Sequence, residues 1–220
     1  MGVSHSRRLV IVIFFAVFFA SVFGADRPSY SEWLIDAEHF SIRENWFAVL
    51  SAPWLTSPGL TLAVFVVGIG LGVVSRPLLR FRAMHLGVGL VVAQIAAMAV
   101  HFGASLASGL VDGPYAGGLV WLTGALGMVL GGSRDPSLSA FGYPLGPTLA
   151  WLLGFLAGSL TLGYFGAGVA GSLANAAAFG VAVLLGRFFG GSSREREVKV
   201  ATKKRPTHLK VVHRAEDMLN

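Results

Sequence analysis

The chain contains no cysteine, which excludes disulfides, thiolate metal sites and cysteine nucleophiles. It is also poor in charge. Asp, Glu, Lys and Arg make up 13% of its 220 residues, against about 25% in a soluble domain. Charge is missing above all from the apolar runs, where Gln94, Thr123, Ser159, Thr161, Ser172 and Asn175 are the polar residues at depth. An ionisable group inside a membrane span is the usual mark of a proton or ion pathway, so that class loses support, while transport of a neutral solute stays open. The histidines (His5, His39, His85, His101, His208 and His213) are scattered along the chain. His85 and His101 fall near opposite ends of one apolar segment and cannot share an ion. The spacing of His208 and His213 is weak for a helical metal pair. No metal, haem or other cofactor is expected.

What is abundant is apolar sequence: 54% of residues are hydrophobic and the mean hydropathy is +0.68. Six stretches, 9–23, 60–74, 84–102, 115–130, 147–165 and 168–189, approach the roughly 20 apolar residues that a spanning helix needs. The first, second and fourth are short on a strict count and must recruit their flanks. Gly113-Pro114, Gly146-Pro147 and Ser57-Pro58-Gly59 punctuate three of the entries. The expectation is an all-α, polytopic membrane bundle of six transmembrane helices.

Basic residues set the orientation. With the N-terminus inside, all of the 17 Lys and Arg residues except Arg27 and Arg43 fall on the cytoplasmic side. The expected layout is a cytoplasmic N-terminus at 1–8, a transmembrane domain over 9–189 with an external loop at 25–59, and a basic cytoplasmic tail at 190–220. Both termini are then cytoplasmic, in a multi-pass protein of a bacterial plasma membrane. The net charge of +6 collects between and beyond the apolar segments without interleaved aromatics, so nucleic acid is not an expected partner; membrane lipids and other membrane proteins are.

The first segment, "RRLVIVIFFAVFFASVFGAD", is either a retained anchor or a cleaved signal peptide. Retention is favoured because a cut after Ala25 would put bulky Phe23 three residues upstream, although a cut after Gly24 stays open. The external loop carries Trp33, Phe40, Trp46, Phe47 and Trp54 among its charges. Aromatic rings collect at the membrane boundary, so short helices lying along the outer surface are expected there, a water-exposed loop being the alternative. The tail opens on a Gly-Ser linker. Its Lys203, Lys204 and Arg205 are candidates for headgroup or partner contacts, the alternative being a disordered tail that only enforces topology.

Glycine, at 29 residues, recurs inside the apolar runs. The pairs Gly68 and Gly72, Gly127 and Gly131, and Gly154 and Gly158 each put two glycines on one helical face, a spacing that lets membrane helices approach closely. Gln94 and Asn175 are expected to hydrogen-bond between helices. In "HFGASLASG", His101 and Ser105 are one turn apart, but neighbours on a helix point outward together and no second base or donor cluster accompanies them. No catalytic residue is assigned.

The layout resembles the rhomboid superfamily of intramembrane serine proteases. The resemblance lies in the six segments, the long aromatic external loop, "ENWFAVLSAPWLTSPG" before the second segment, the Gly-rich "GPYAGGLVWLTGALG" and the small-residue "NAAAFGVAVLLG". The family's fourth helix begins with a Gly-x-Ser-Gly motif, and its sixth carries a histidine. Here Tyr115 or a neighbour stands where the serine belongs, and Ala178 where the histidine belongs. The resemblance therefore implies an inactive, rhomboid-like protein. The expected function is non-catalytic: an accessory subunit, an assembly factor or a binder of other membrane proteins. The alternatives are a transporter or channel for a neutral or lipid-like solute, and an enzyme with an unfamiliar site among Gln94, His101, Ser105 and Asn175.

Overall fold

A computed structural model describes residues 5–25, 34, 46–74, 81–108, 114–132, 137–140 and 143–203. The elements in chain order are α1 (His5–Ala25), the short α2 (Trp46–Ser51), 3-10 turns at Ala52–Trp54 and Pro58–Leu60, α3 (Thr61–Val74), α4 (Ala83–Ser108), α5 (Gly118–Gly132), a β-hairpin of β1 (Ser137–Ala140) and β2 (Tyr143–Pro147), and α6 (Thr148–Lys203). The body is helical. The hairpin pairs Leu138 with Gly146 and Ser139 with Pro144, so Leu145 is the extra residue of a bulge.

The expected six membrane spans are corrected to three. Among the described residues, only the stretches His5–Gly24, Ala83–Ala107 and Trp151–Gly190 are long and apolar enough to cross a membrane. Helices α3 and α5 have 14 and 15 residues, about 21 and 22 Å at 1.5 Å per residue, short of a hydrocarbon layer of about 30 Å. Each starts later than its apolar run. The chain before α3 is spent on the 3-10 turn at Pro58–Leu60, and residues 114–117 before α5 are not helical because their backbone bonds to another segment. The runs 147–165 and 168–189 both fall in α6, except that Pro147 ends β2.

That element is not straight. Ala167 (φ −155°, ψ 39°) and Gly168 (φ 63°, ψ −149°) leave the helical region, and the second conformation is one that only glycine adopts readily. The limbs on either side fold back on each other. Ser172 Oγ donates to the Leu160 carbonyl across the turn at 2.6 Å, and Phe155 and Leu156 pack near Phe179 and Val183. A Cβ on Gly163 would stand 2.5 Å from the Gly171 carbonyl, and the reverse also holds. Close backbone approach therefore requires both glycines.

Helix α5 is the axis of the bundle. All its residues except Leu126 and Gly131 are buried, with α6 as its main neighbour and α4 beside them. Gly127 faces the Phe179 carbonyl, Gly131 the Val183 carbonyl, Gly186 the backbone of Met128, and Gly190 that of Gly132. Backbone meets backbone along the whole contact, as small residues allow between apolar helices. Helix α1 packs on α3, with Gly68 against the Phe14 ring and Gly72 against Ile11 and Val10. The outer faces are apolar. Stripes of exposed side chains run along α1 (Val12, Phe15, Phe19, Phe23), α3 (Leu62, Val66, Val73), α4 (Met84, Val88, Val91, Ile95) and the second limb of α6 (Val169, Leu173, Leu184, Phe188). A greasy exterior around a packed interior is the reverse of a soluble domain, and it marks a membrane-embedded protein.

Candidate functional site

The polar side chains collect where residues 51–61, the entry to α5 and the turn of α6 meet. The Ala52 carbonyl accepts from Leu55 N–H (3.2 Å) and from Gly117 N–H (2.8 Å), and the Leu55 carbonyl accepts from Gly118 N–H (2.7 Å). Trp121 Nε1–H donates to the Pro53 carbonyl at 2.7 Å, and its ring stacks on Trp54 with centroids 5.1 Å apart. The second half of the loop expected to be external is thus drawn into the bundle rather than laid over it, with Ala48, Ala52 and Leu55 buried. Residues 26–33 and 35–45, which include Trp33 and Phe40, lie outside the described residues.

These bonds depend on two glycines. A Cβ on Gly117 would overlap the Gln94 amide and stand 2.9 Å from Pro53 Cα; one on Gly118 would overlap the Thr56 methyl and stand 2.8 Å from the Leu55 carbonyl. Beneath them three hydroxyls share bonds across three segments. Ser21 Oγ accepts from Thr56 N–H at 3.0 Å and lies 3.1 Å from Thr56 Oγ1, which is 2.7 Å from Thr61 Oγ1. On the other side Ser57 Oγ donates to the Gly166 carbonyl at 3.1 Å and ties the loop to the α6 turn. Between them is a cleft lined by Thr56, Ser57, Tyr115, Gly163, Ala167 and Asn175, with about 20 Å³ of free volume. That is on the order of one water.

The expected polar residues sit in two separate places. Gln94, on α4, donates from Nε2 to the Tyr115 hydroxyl at 3.0 Å, so it reaches the strand of chain before α5 rather than a helix. Gln94 is 4% exposed, and its Oε1 has no hydrogen-bond partner among the described residues. The His101 ring lies 5.2 Å from the Tyr115 ring, tilted against it. Tyr115 is 2% exposed, and burial pushes its phenol above the ordinary range. Asn175 is elsewhere. Its Nδ2 bonds back to the Gly171 carbonyl at 2.9 Å, and its Oδ1 accepts from Thr123 Oγ1 of α5 at 3.4 Å. Ser105 follows His101 by one turn and is half-buried.

Among the glycine pairs, the first faces α1 and the second faces α6, as described above. Gly154 and Gly158 have nothing within 4 Å of a Cβ position, so no close helix approach occurs at them among the described residues. Ala178 is fully buried in the core. Lys203 is the last residue of α6, whose helix runs through the expected Gly-Ser linker; Lys204 and Arg205 lie outside the described residues. The described residues hold no cluster of three metal-ligating side chains. Sequence reading missed Ser21, Thr56, Ser57, Thr61 and Gly117. The signals available were the Thr-Ser pair directly before Pro58 and the glycine doublet at the mouth of α5. No family model matches the chain, and neither the curated proteins nor the solved structures compared with it contain a match.

Proposed function

We propose that this is a non-catalytic integral membrane protein that works by binding other membrane proteins, as an accessory subunit, an assembly factor or a rhomboid-like binder. The carrying observation is how the interior is used. The polar side chains at depth are turned on each other, Gln94 on Tyr115 and Thr123 on Asn175, and the cleft between them has room for about one water. A solute pathway needs an open cavity, and an acyl-transfer site needs a nucleophile, a base and an oxyanion site converging on a common point. The described residues form a packed bundle with an apolar exterior, which offers its surface instead. The rhomboid resemblance supports this reading through Ala178, a buried residue without a titratable group where that family carries a histidine.

The test is purification of the full chain from its native membrane in mild detergent, followed by identification of co-purifying proteins. A membrane protein present in stoichiometric amount supports the reading. Recovery of the chain alone, together with uptake of a neutral solute by vesicles that contain it, would replace it with the transporter reading.

A further inference from the structure

One end of the bundle carries arginines on α1 and α6 and directly before α4. Ser6, at the start of α1, donates its hydroxyl to the Phe81 carbonyl just before α4, and Leu9 of α1 lies 3.6 Å from a Cβ position at Gly87 of α4. The His85 ring of α4 stacks on Phe189 of α6 at 4.8 Å and 10°. The Phe81 ring covers Gly132 at the end of α5. These contacts bring Arg8, Arg82 and Arg187 to the same end, and all three side chains are exposed. No Asp or Glu is among the side chains described there.

What surrounds the arginines defines the ligand. Arg8 stands at the head of the exposed α1 stripe, four residues before Val12 and seven before Phe15. Arg187 is three residues from Leu184 and next to Phe188, and Arg82 leads into Met84; Met84 and Phe188 are each 76% exposed. Each cation thus sits where an apolar stripe ends, which is where a long basic side chain meets the headgroup layer of a bilayer. A free phosphate or a nucleic acid would satisfy the arginines and leave Met84 and Phe188 in water. A molecule with a negative head and hydrocarbon tails satisfies both.

We infer that the ends of α1, α4 and α6 form a binding site for an anionic phospholipid. Its phosphate lies among Arg8, Arg82 and Arg187, and its two acyl chains lie along the stripes headed by Met84 and Leu184. The site is distinct from the cleft at the α6 turn and does not depend on protein partners.

The test places the full-length protein in nanodiscs of mixed phosphatidylglycerol and phosphatidylcholine and measures retained lipid by native mass spectrometry. The wild type should retain phosphatidylglycerol preferentially, and the preference should fall on the order of fivefold for each of Arg8→Gln, Arg82→Gln and Arg187→Gln. High salt should also weaken it. Equal retention of the two lipids by the wild type, an unchanged preference in the triple variant, or displacement of the lipid by inorganic phosphate would overturn the assignment. Should the triple variant fail to fold, the wild-type preference and the single variants decide the matter.

Discussion

At Gly131 a single added methyl group would run into the Val183 carbonyl, and at Gly186 into that of Met128. Backbone cannot step aside as a flexible side chain can. Gly131→Leu is expected to lower stability by about 1–3 kcal/mol or more, seen as a fall in unfolding temperature in detergent. Gly154→Ala is the counterpart. Open space surrounds that position, and replacing a helical glycine removes chain entropy from the unfolded state, so the same measurement should give an unchanged or slightly higher value. Equal losses in the two variants would contradict the packing described. Tyr115 supplies a test by pH. Its pKa is raised in the fold by burial, so its stabilisation is complete below the unfolded value of about 10 and is lost as the pH rises above it. Tyr115→Phe removes that dependence but strands the Gln94 amide. The variant should therefore unfold earlier at neutral pH, by about 1–3 kcal/mol, and show a flatter decline above pH ~10.

At the scale of elements, the turn inside α6 rests on one residue. Gly168 has φ 63° and ψ −149°, and a side chain there costs about 1–3 kcal/mol. Gly168→Ala should loosen the contact between the limbs, measured as a drop in cross-linking between cysteines placed at residues 160 and 172. The apolar runs made the helical body legible, and the gap between the runs 147–165 and 168–189, residues 166 and 167, overlaps the turn of α6 at Ala167 and Gly168. Counting spans was less secure, because a run of apolar residues does not reveal where its helix begins. Residues 115–117 are apolar or small but non-helical, since the carbonyls of Ala52 and Leu55 take the amide protons of Gly117 and Gly118. That is a tertiary event invisible to local pattern. The same holds for the hydroxyl cluster, whose members Ser21 and Thr56 are 35 residues apart. Among glycines, spacing alone could not separate Gly127 and Gly131, which face a helix, from Gly154 and Gly158, which face open space.

For the whole molecule, the second limb of α6 continues as helix to Lys203. From residue 169 that is about 50 Å at 1.5 Å per residue, against about 30 Å of hydrocarbon, so the limb is longer than a bilayer's apolar layer is thick. Removing residues 198–220 should leave membrane insertion intact and weaken a contact with a partner, checked by co-purification before and after truncation. Unchanged recovery of every partner would remove the tail from the interaction. A different consequence follows from the unequal helix lengths. Short α5 is jacketed by protein, all but two of its residues being buried, but α3 is almost as short and turns Leu62, Val66 and Val73 outward. A lipid leaflet flanking that side meets too little greasy height and must dimple to match it. The protein would therefore wear a lopsided collar, thinned along one flank alone, and neighbouring molecules with equally short faces would find their easiest berth there.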